Sequence, residues 1–309
     1  MDIPTIQPSR LRKGDTIAIV APGSTVEQPD LLKPGIGVLE QMGFRVRFDE
    51  RIFEISRYLA GEDHSRAEEL MRAFEDPSVR GIVALRGGYG CSRLIPLLME
   101  KRLRQNPKVF MGFSDITTLH LFFRRRFGWI TFHGPMAAAA GFGKLPGDQQ
   151  QHLIALWTDP GYRPQLTFPQ LETIVPGIGE GVLTGGCLSL IVTSIGTAYE
   201  INTDDKVLFL EDHGEPPYRL DRMLMHLQLA GKLESVAGLV LGNFPGCEPT
   251  QGNYTAMDTL REVAGKLHVP VLANFPAGHG AENWALPLGA RVRVDAEKRS
   301  LDFLEPAVS

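Results

Sequence analysis

The chain predicts an α/β protein with an N-terminal parallel-sheet domain of the flavodoxin or Rossmann kind. A C-terminal α/β domain with added β-structure follows, with a cleft between the two. Three observations predict this. Short β-rich runs alternate with helical patterns over roughly the first 135 residues. Several of those runs are continuously apolar, as strands covered on both faces of a parallel sheet must be. The alternation then restarts in the second half of a 309-residue chain, which is long for one core.

In order, the expected strands of the first half are Thr16–Ala21, Phe44–Asp49, Val79–Arg86, Lys108–Phe113 and Trp129–His133. Helical patterns lie between them at Pro34–Met42, Asp63–Glu75, Cys91–Leu98 and Asp115–Phe127. The second helix is the clearest: Ala67, Leu70, Met71 and Phe74 recur at helical spacing, Asp63 suits its cap, and Asp76-Pro77 stops it. Residues 136–180 change character, with a helix around Gln149–Trp157 and a loop rich in Pro and Gly. The expected organisation is therefore a first domain over 1–138, a linker over 139–178 and a second domain over 179–309. In that second domain Glu180–Gly186 and Val207–Asp212 read as strands. Leu188–Ile195, Tyr218–Ala230 and Tyr254–Val263 read as helices, and the tail as two or three short strands turning near Glu297-Lys298.

Composition excludes several classes. With 43% hydrophobic and 22% charged residues the chain is not a disordered one. A net charge of −4 without a basic stripe offers nothing to a phosphate backbone, so no nucleic acid is expected. No run approaches the ~18 apolar residues of a membrane span, and the polar, proline-broken N-terminus is unlike a signal peptide. The scattered Cys91, Cys187 and Cys247 suggest buried thiols in a reducing cytoplasm. There is no H-E-x-x-H, C-x-x-C or tight His/Asp grouping, so neither a metal nor another cofactor is expected.

Four segments can carry chemistry. In KVFMGFSDITTLHLFF, Ser114 occupies a strand-to-helix turn. It fits either a helix cap or an exposed nucleophile with the Asp115 N–H as an oxyanion donor, although Ile116 replaces the last glycine of the G-x-S-x-G elbow. In ALRGGYGCSRL, Gly87, Gly88 and Gly90 follow a strand. They fit a plain turn, a phosphate cradle lacking the P-loop lysine, or a second oxyanion wall through the Gly88 N–H. In VLFLEDHGE, Glu211 or Asp212 at a strand end is either a solvated acid or the partner of a histidine. In ANFPAGHGAENWALPLG, His279 sits between two glycines and is the best placed of eight histidines for acid–base work, with His133 its competitor.

Taken with GDTIAIVAPGS, TGGCLSLI, LEDHGEPPYRLDRMLMHLQLAGKL, GLVLGNF and PAGHGAENWALPLGA, these segments resemble the LD-carboxypeptidases along nearly the whole chain. That family of serine peptidases includes muramoyltetrapeptide carboxypeptidase and the microcin C self-immunity peptidase. The resemblance implies Ser114 as nucleophile, His279 as general base, Glu211 as its orienting acid, and backbone amides near Gly88 and Asp115 as the oxyanion hole. It implies a cut between an L-centre and a terminal D-alanine of a murein tetrapeptide during cytoplasmic peptidoglycan recycling, and a possible homodimer. Arg86, Tyr89 and Trp284 are candidate substrate contacts, and Arg93 and Arg222 are further guanidinium candidates for the terminal carboxylate. Cys187 departs from the family's usual asparagine. The rivals are a microcin-type aminoacyl-nucleotide amide as substrate, and a noncatalytic small-ligand-binding protein.

Overall fold

A computed structural model describes residues 3–249 and 251–309. The chain divides into two compact units. Among the described residues, the first comprises 3–162 with 285–287 and 306–309; the second comprises 163–249, 251–284 and 288–305.

In the first unit, β1 (Thr16–Val20), α1 (Lys33–Gln41), β2 (Arg45–Arg47), α2 (Asp63–Glu75), β3 (Val79–Ala84), α3 (Cys91–Leu94), α4 (Glu100–Leu103), β4 (Val109–Gly112), α5 (Thr117–Phe127), β5 (Thr131–His133) and α6 (Gly147–Thr158) follow in order. Strands β1 to β5 pair in parallel in the order β2-β1-β3-β4-β5. This is the flavodoxin-like arrangement, in which the chain reverses its winding direction between β1 and β3 and ligands gather beyond the strand ends there. Residues Ile17, Ile82, Val83, Phe110 and Met111 are fully buried, which is why their strands are apolar without alternation. An aromatic cluster of Phe74, Phe110, Phe123, Phe127 and Trp129 locks α2 and α5 onto the sheet with ring centroids 4.8–6.3 Å apart.

Two local expectations change. The cap position of α2 belongs to Glu62, without a side-chain cap bond; Asp63 instead binds Arg66 and Arg93. The Cys91–Leu98 helix shortens to one α turn and a 3₁₀ turn, because Pro96 has no N–H to continue the ladder.

In the second unit the elements are β6 (Gln165–Thr167), β7 (Glu172–Val175), β8 (Ile178–Cys187), α7 (Leu188–Ser194), β9 (Lys206–Glu211), α8 (Pro217–Leu229), β10 (Gly238–Leu241), α9 (Ala256–Ala264) and β11 (Val271–Ala273). After β12 (Leu286–Leu288), which joins the first sheet beside β5, come β13 (Arg291–Asp295) and β14 (Ser300–Phe303). The second sheet has the order β6-β14-β13-β8-β9-β10-β11-β7. Its centre, β8 to β11, is parallel; β13, β14 and β6 extend one side antiparallel and β7 the other. The stretch read from composition as a connector therefore carries α6 and both outermost strands of this sheet. Short edge strands leave a weak sequence signature, since they bury little on either face. No helix among the described residues is long and apolar enough to cross a membrane.

Candidate active site

In the first unit the β4–α5 turn presents Ser114 with φ of +62°, a left-handed conformation that a residue with a Cβ adopts only under constraint. Packing and hydrogen bonding hold the strand end that leads into it. Ile116 is fully buried against Gly112, so the elbow's last position packs an apolar side chain instead of a glycine. The Gly112 carbonyl accepts from the Gly134 N–H at 3.1 Å and from His120 Nε2 at 2.9 Å. His120 is fully buried and its Nδ1 accepts from the Thr131 hydroxyl; burial pushes its pKa down to about 4, so it is a neutral structural imidazole. His133 is likewise buried, edge-on to Phe113 at 5.8 Å.

The β3–α3 turn faces this serine. A Cβ on Gly87 would stand 2.9 Å from Ser114 Cβ, 3.1 Å from its Oγ and 3.3 Å from the Asp115 N, so only glycine fits. The Gly87 backbone thus lies against the Ser114 side chain and the Asp115 amide, while Gly88 lies against Ser24. The first loop, after β1, backs this turn: the Ser24 N–H donates to Gly87 O at 2.9 Å, and Ser24 Oγ accepts from the Tyr89 N–H at 3.3 Å. Asp115 is buried, and its Oδ2 accepts from the Cys91 N–H at 2.9 Å. Burial raises its carboxyl pKa, with the Cys91 hydrogen bonds opposing.

In the second unit the end of β9 and the loop after β11 supply the other candidates. Glu211 is fully buried, and its Oε2 accepts both the His279 Nδ1–H at 2.6 Å and the His279 backbone N–H at 3.1 Å. The double contact fixes the ring and its tautomer, leaving Nε2 as the basic position. Burial alone would lower the His279 pKa; the hydrogen bond and charge of Glu211 outweigh it and hold it above the ordinary imidazole value. Burial pushes the Glu211 pKa up, with His279 pulling the other way.

The loop is shaped for this pair. Gly278 has φ of +106°, and a Cβ there would come 2.4 Å from Glu211 Oε2. Its N–H is held by Asn283 Oδ1 at 2.9 Å, and Asn243 holds the Glu282 carbonyl at 3.1 Å. Gly278→Ala is accordingly expected to lower turnover at least about 100-fold by displacing the carboxylate from the imidazole. Steady-state kinetics beside a melting curve check this; wild-type turnover in the variant would remove the pair from the chemistry.

The remaining candidates separate. Asp212 is a structural acid: it is buried and accepts from the Ser189 N–H at 2.7 Å and the His213 N–H at 2.8 Å. Cys187 Sγ lies 3.2 Å from Ser189 Oγ and 3.5 Å from Asp212 Oδ1, and burial pushes its thiol pKa well up. Arg86 and Tyr89 are exposed on the glycine turn, Arg86 donating to Thr25 O at 3.2 Å and Tyr89 packing on Tyr58 at 5.7 Å. Trp284 lies five residues after His279, against Phe168 at 4.9 Å. Arg93 is committed to Asp63 through a fork of 2.5 and 2.9 Å bonds, and Arg222 lies over the Tyr218 ring at 5.7 Å. Sequence reasoning did not identify Ser24, Asn243 or the second role of Asp115. Ser24 falls in the quoted GDTIAIVAPGS, but nothing local marks it as a bracket for a turn 63 residues later.

Comparison with known proteins places both units. The LD-carboxypeptidase N-terminal domain matches residues 17–134 and the LD-carboxypeptidase C-terminal domain matches residues 180–294. The murein tetrapeptide carboxypeptidase of Pseudomonas aeruginosa is 34% identical over 283 residues, covering 88% of this chain and 91% of its own. The crystal structure of muramoyltetrapeptide carboxypeptidase from Oxalobacter formigenes aligns with a TM-score of 0.81 at 30% identity, over 93% of this chain and 97% of that one. The microcin C7 self-immunity protein aligns with a TM-score of 0.91 over 98% of this chain and 100% of that one; at 23% identity it shows the shared fold.

Proposed function

The chain belongs to the LD-carboxypeptidase family, and from that premise we propose that it is a serine carboxypeptidase acting on murein tetrapeptides. The scissile bond joins an L-centre, diaminopimelate or lysine, to the terminal D-alanine, and the reaction belongs to peptidoglycan recycling in the cytoplasm. The observation that carries the proposal is the buried Glu211 bonded at 2.6 Å to His279 Nδ1, in a chain that also holds a serine at positive φ on a strand-to-helix turn.

The roles follow from the chemistry of these groups. His279 Nε2 takes the Ser114 proton as Oγ attacks the scissile carbonyl, and the buried Glu211 charge stabilises the imidazolium. The amides of Gly88 and Asp115 receive the oxyanion, each such donor being worth about 100–1,000-fold in rate. The imidazolium then protonates the departing D-alanine amine, and water resolves the acyl-enzyme with His279 again as base. Arg86, Tyr89 and Trp284 are the proposed substrate contacts. They flank the glycine turn and the histidine loop, and Arg86 suits a terminal carboxylate because guanidinium binds one in a two-point fork.

The test is D-alanine release from L-Ala-D-Glu-meso-diaminopimelate-D-Ala by the purified protein, with a fluorophosphonate probe to locate the nucleophile. We expect stoichiometric D-alanine and a label on Ser114. Labelling without release, together with cleavage of an aminoacyl-nucleotide amide, would move the same machinery to the other substrate class. Neither release nor labelling would overturn the proposal.

A further inference from the structure

Arg66, on the first turn of α2, is a guanidinium with no exposed surface, unlike Arg72, the other arginine of its helix. Removing such a group from water costs several kcal/mol unless its donors are met. Its Nη2 reaches Asp63 on its own helix; its Nη1 donates to two loop carbonyls, Pro22 O and, at 3.1 Å, Gly90 O. Those carbonyls belong to the loops after β1 and β3, the two strands flanking the point where the sheet reverses its winding.

The Gly90 carbonyl and the Cys91 N–H are the two ends of one peptide group. Arg66 holds the carbonyl end, and Asp115, the residue after Ser114, holds the N–H end at 2.9 Å. A planar peptide pinned at both ends cannot rotate without breaking a charge-assisted bond. Gly90 has φ of +140°, and a Cβ there would come 2.6 Å from Arg66 Nη1, so the turn is built around the guanidinium. The pinned peptide closes the short turn that carries the Gly87 and Gly88 amides, three and two residues earlier.

We infer that Arg66 is a positioning residue for the acyl-transfer step, clamping the Gly90–Cys91 peptide against Asp115 so that the glycine turn presents its amides to the oxyanion formed at Ser114. The inference rests on the peptidase function proposed above. It deepens that proposal by adding a residue remote from substrate whose loss is read in kcat.

The experiment compares wild type, Arg66→Met and Arg66→Lys for D-alanine release, for fluorophosphonate labelling of Ser114, and for melting temperature. We expect kcat to fall about 100-fold in Arg66→Met, the scale of one oxyanion donor, with KM within about threefold. Labelling should slow in parallel, because the phosphonyl oxygen occupies the same amides. Arg66→Lys keeps the charge and one carbonyl bond, and is expected to recover about tenfold of the loss. A folded Arg66→Met with wild-type kcat overturns the inference. So does a loss confined to KM, or failure of both variants to fold, which would make Arg66 a fold element only. If wild type itself releases no D-alanine, the proposed substrate fails instead, and labelling rates alone decide the clamp.

Discussion

Ser114→Ala is expected to lower D-alanine release by roughly 10⁵-fold or more, as loss of the nucleophile does in serine hydrolases, while leaving the fold intact. The second half of the prediction comes from the backbone. Ser114 holds φ of +62°, where a side chain costs roughly 1–3 kcal/mol, so Ser114→Gly should be equally inactive yet more stable than wild type by about 1 kcal/mol. A nucleophile whose removal raises stability is one whose conformation the surrounding packing imposes. Kinetics and thermal melts on the two variants check both halves. Residual activity within about tenfold of wild type would remove Ser114 from the mechanism, and a destabilised glycine variant would mean the turn is not strained.

Glu211→Gln is the second large effect, with an expected loss of about 10³–10⁴-fold in the plateau rate, because an amide neither charges the site nor enforces the imidazole tautomer. It also carries a signed pH prediction. His279 must be neutral to act as base, so activity rises as pH passes its pKa, which Glu211 holds above the ordinary imidazole value. Removing the charge leaves burial, which lowers a histidine pKa, opposed only by the lesser pull of Asp212. The acidic limb of kcat/KM should therefore move to lower pH in Glu211→Gln even as the plateau falls. A limb that stays fixed or moves up would show that the titrating base is not His279. Stability follows the same sign for the histidine: while Glu211 stays ionised, the His279 contribution is present below about pH 6.5 and is lost as pH rises through the raised folded pKa, and burial of Glu211 brings its own protonation, which ends the pairing, to a higher pH than for a free carboxylate.

The sheet cores were legible because parallel strands covered on both faces must be continuously apolar, and residues 17–20, 82–84 and 207–210 announce themselves in that way. The outermost strands Gln165–Thr167 and Glu172–Val175 did not, since three or four residues with one free edge need no particular pattern. Asp63 was a reasonable helix cap on local chemistry, but the buried guanidinium of Arg66 competes for the same carboxylate and wins.

The sequence alone determined the α/β class, the family, and the candidate residues Ser114, Glu211 and His279, because strand-end position and residue chemistry are local properties read along the chain. Read locally, Glu211 and Asp212 stayed open and the family resemblance pointed to Glu211; the tertiary structure supplies the physical reason. The two are adjacent, yet strand pleat turns one toward His279 and the other toward the Ser189 amide. It also decided that Asp115 braces the turn beside Ser114, and that a buried arginine on α2 ties together two loops separated from it by 44 and 24 residues. Such contacts carry no periodicity and no spacing. They arise when a sheet brings distant loops to one edge, and the unmet hydrogen-bonding groups found there must be satisfied by whatever side chain can reach them.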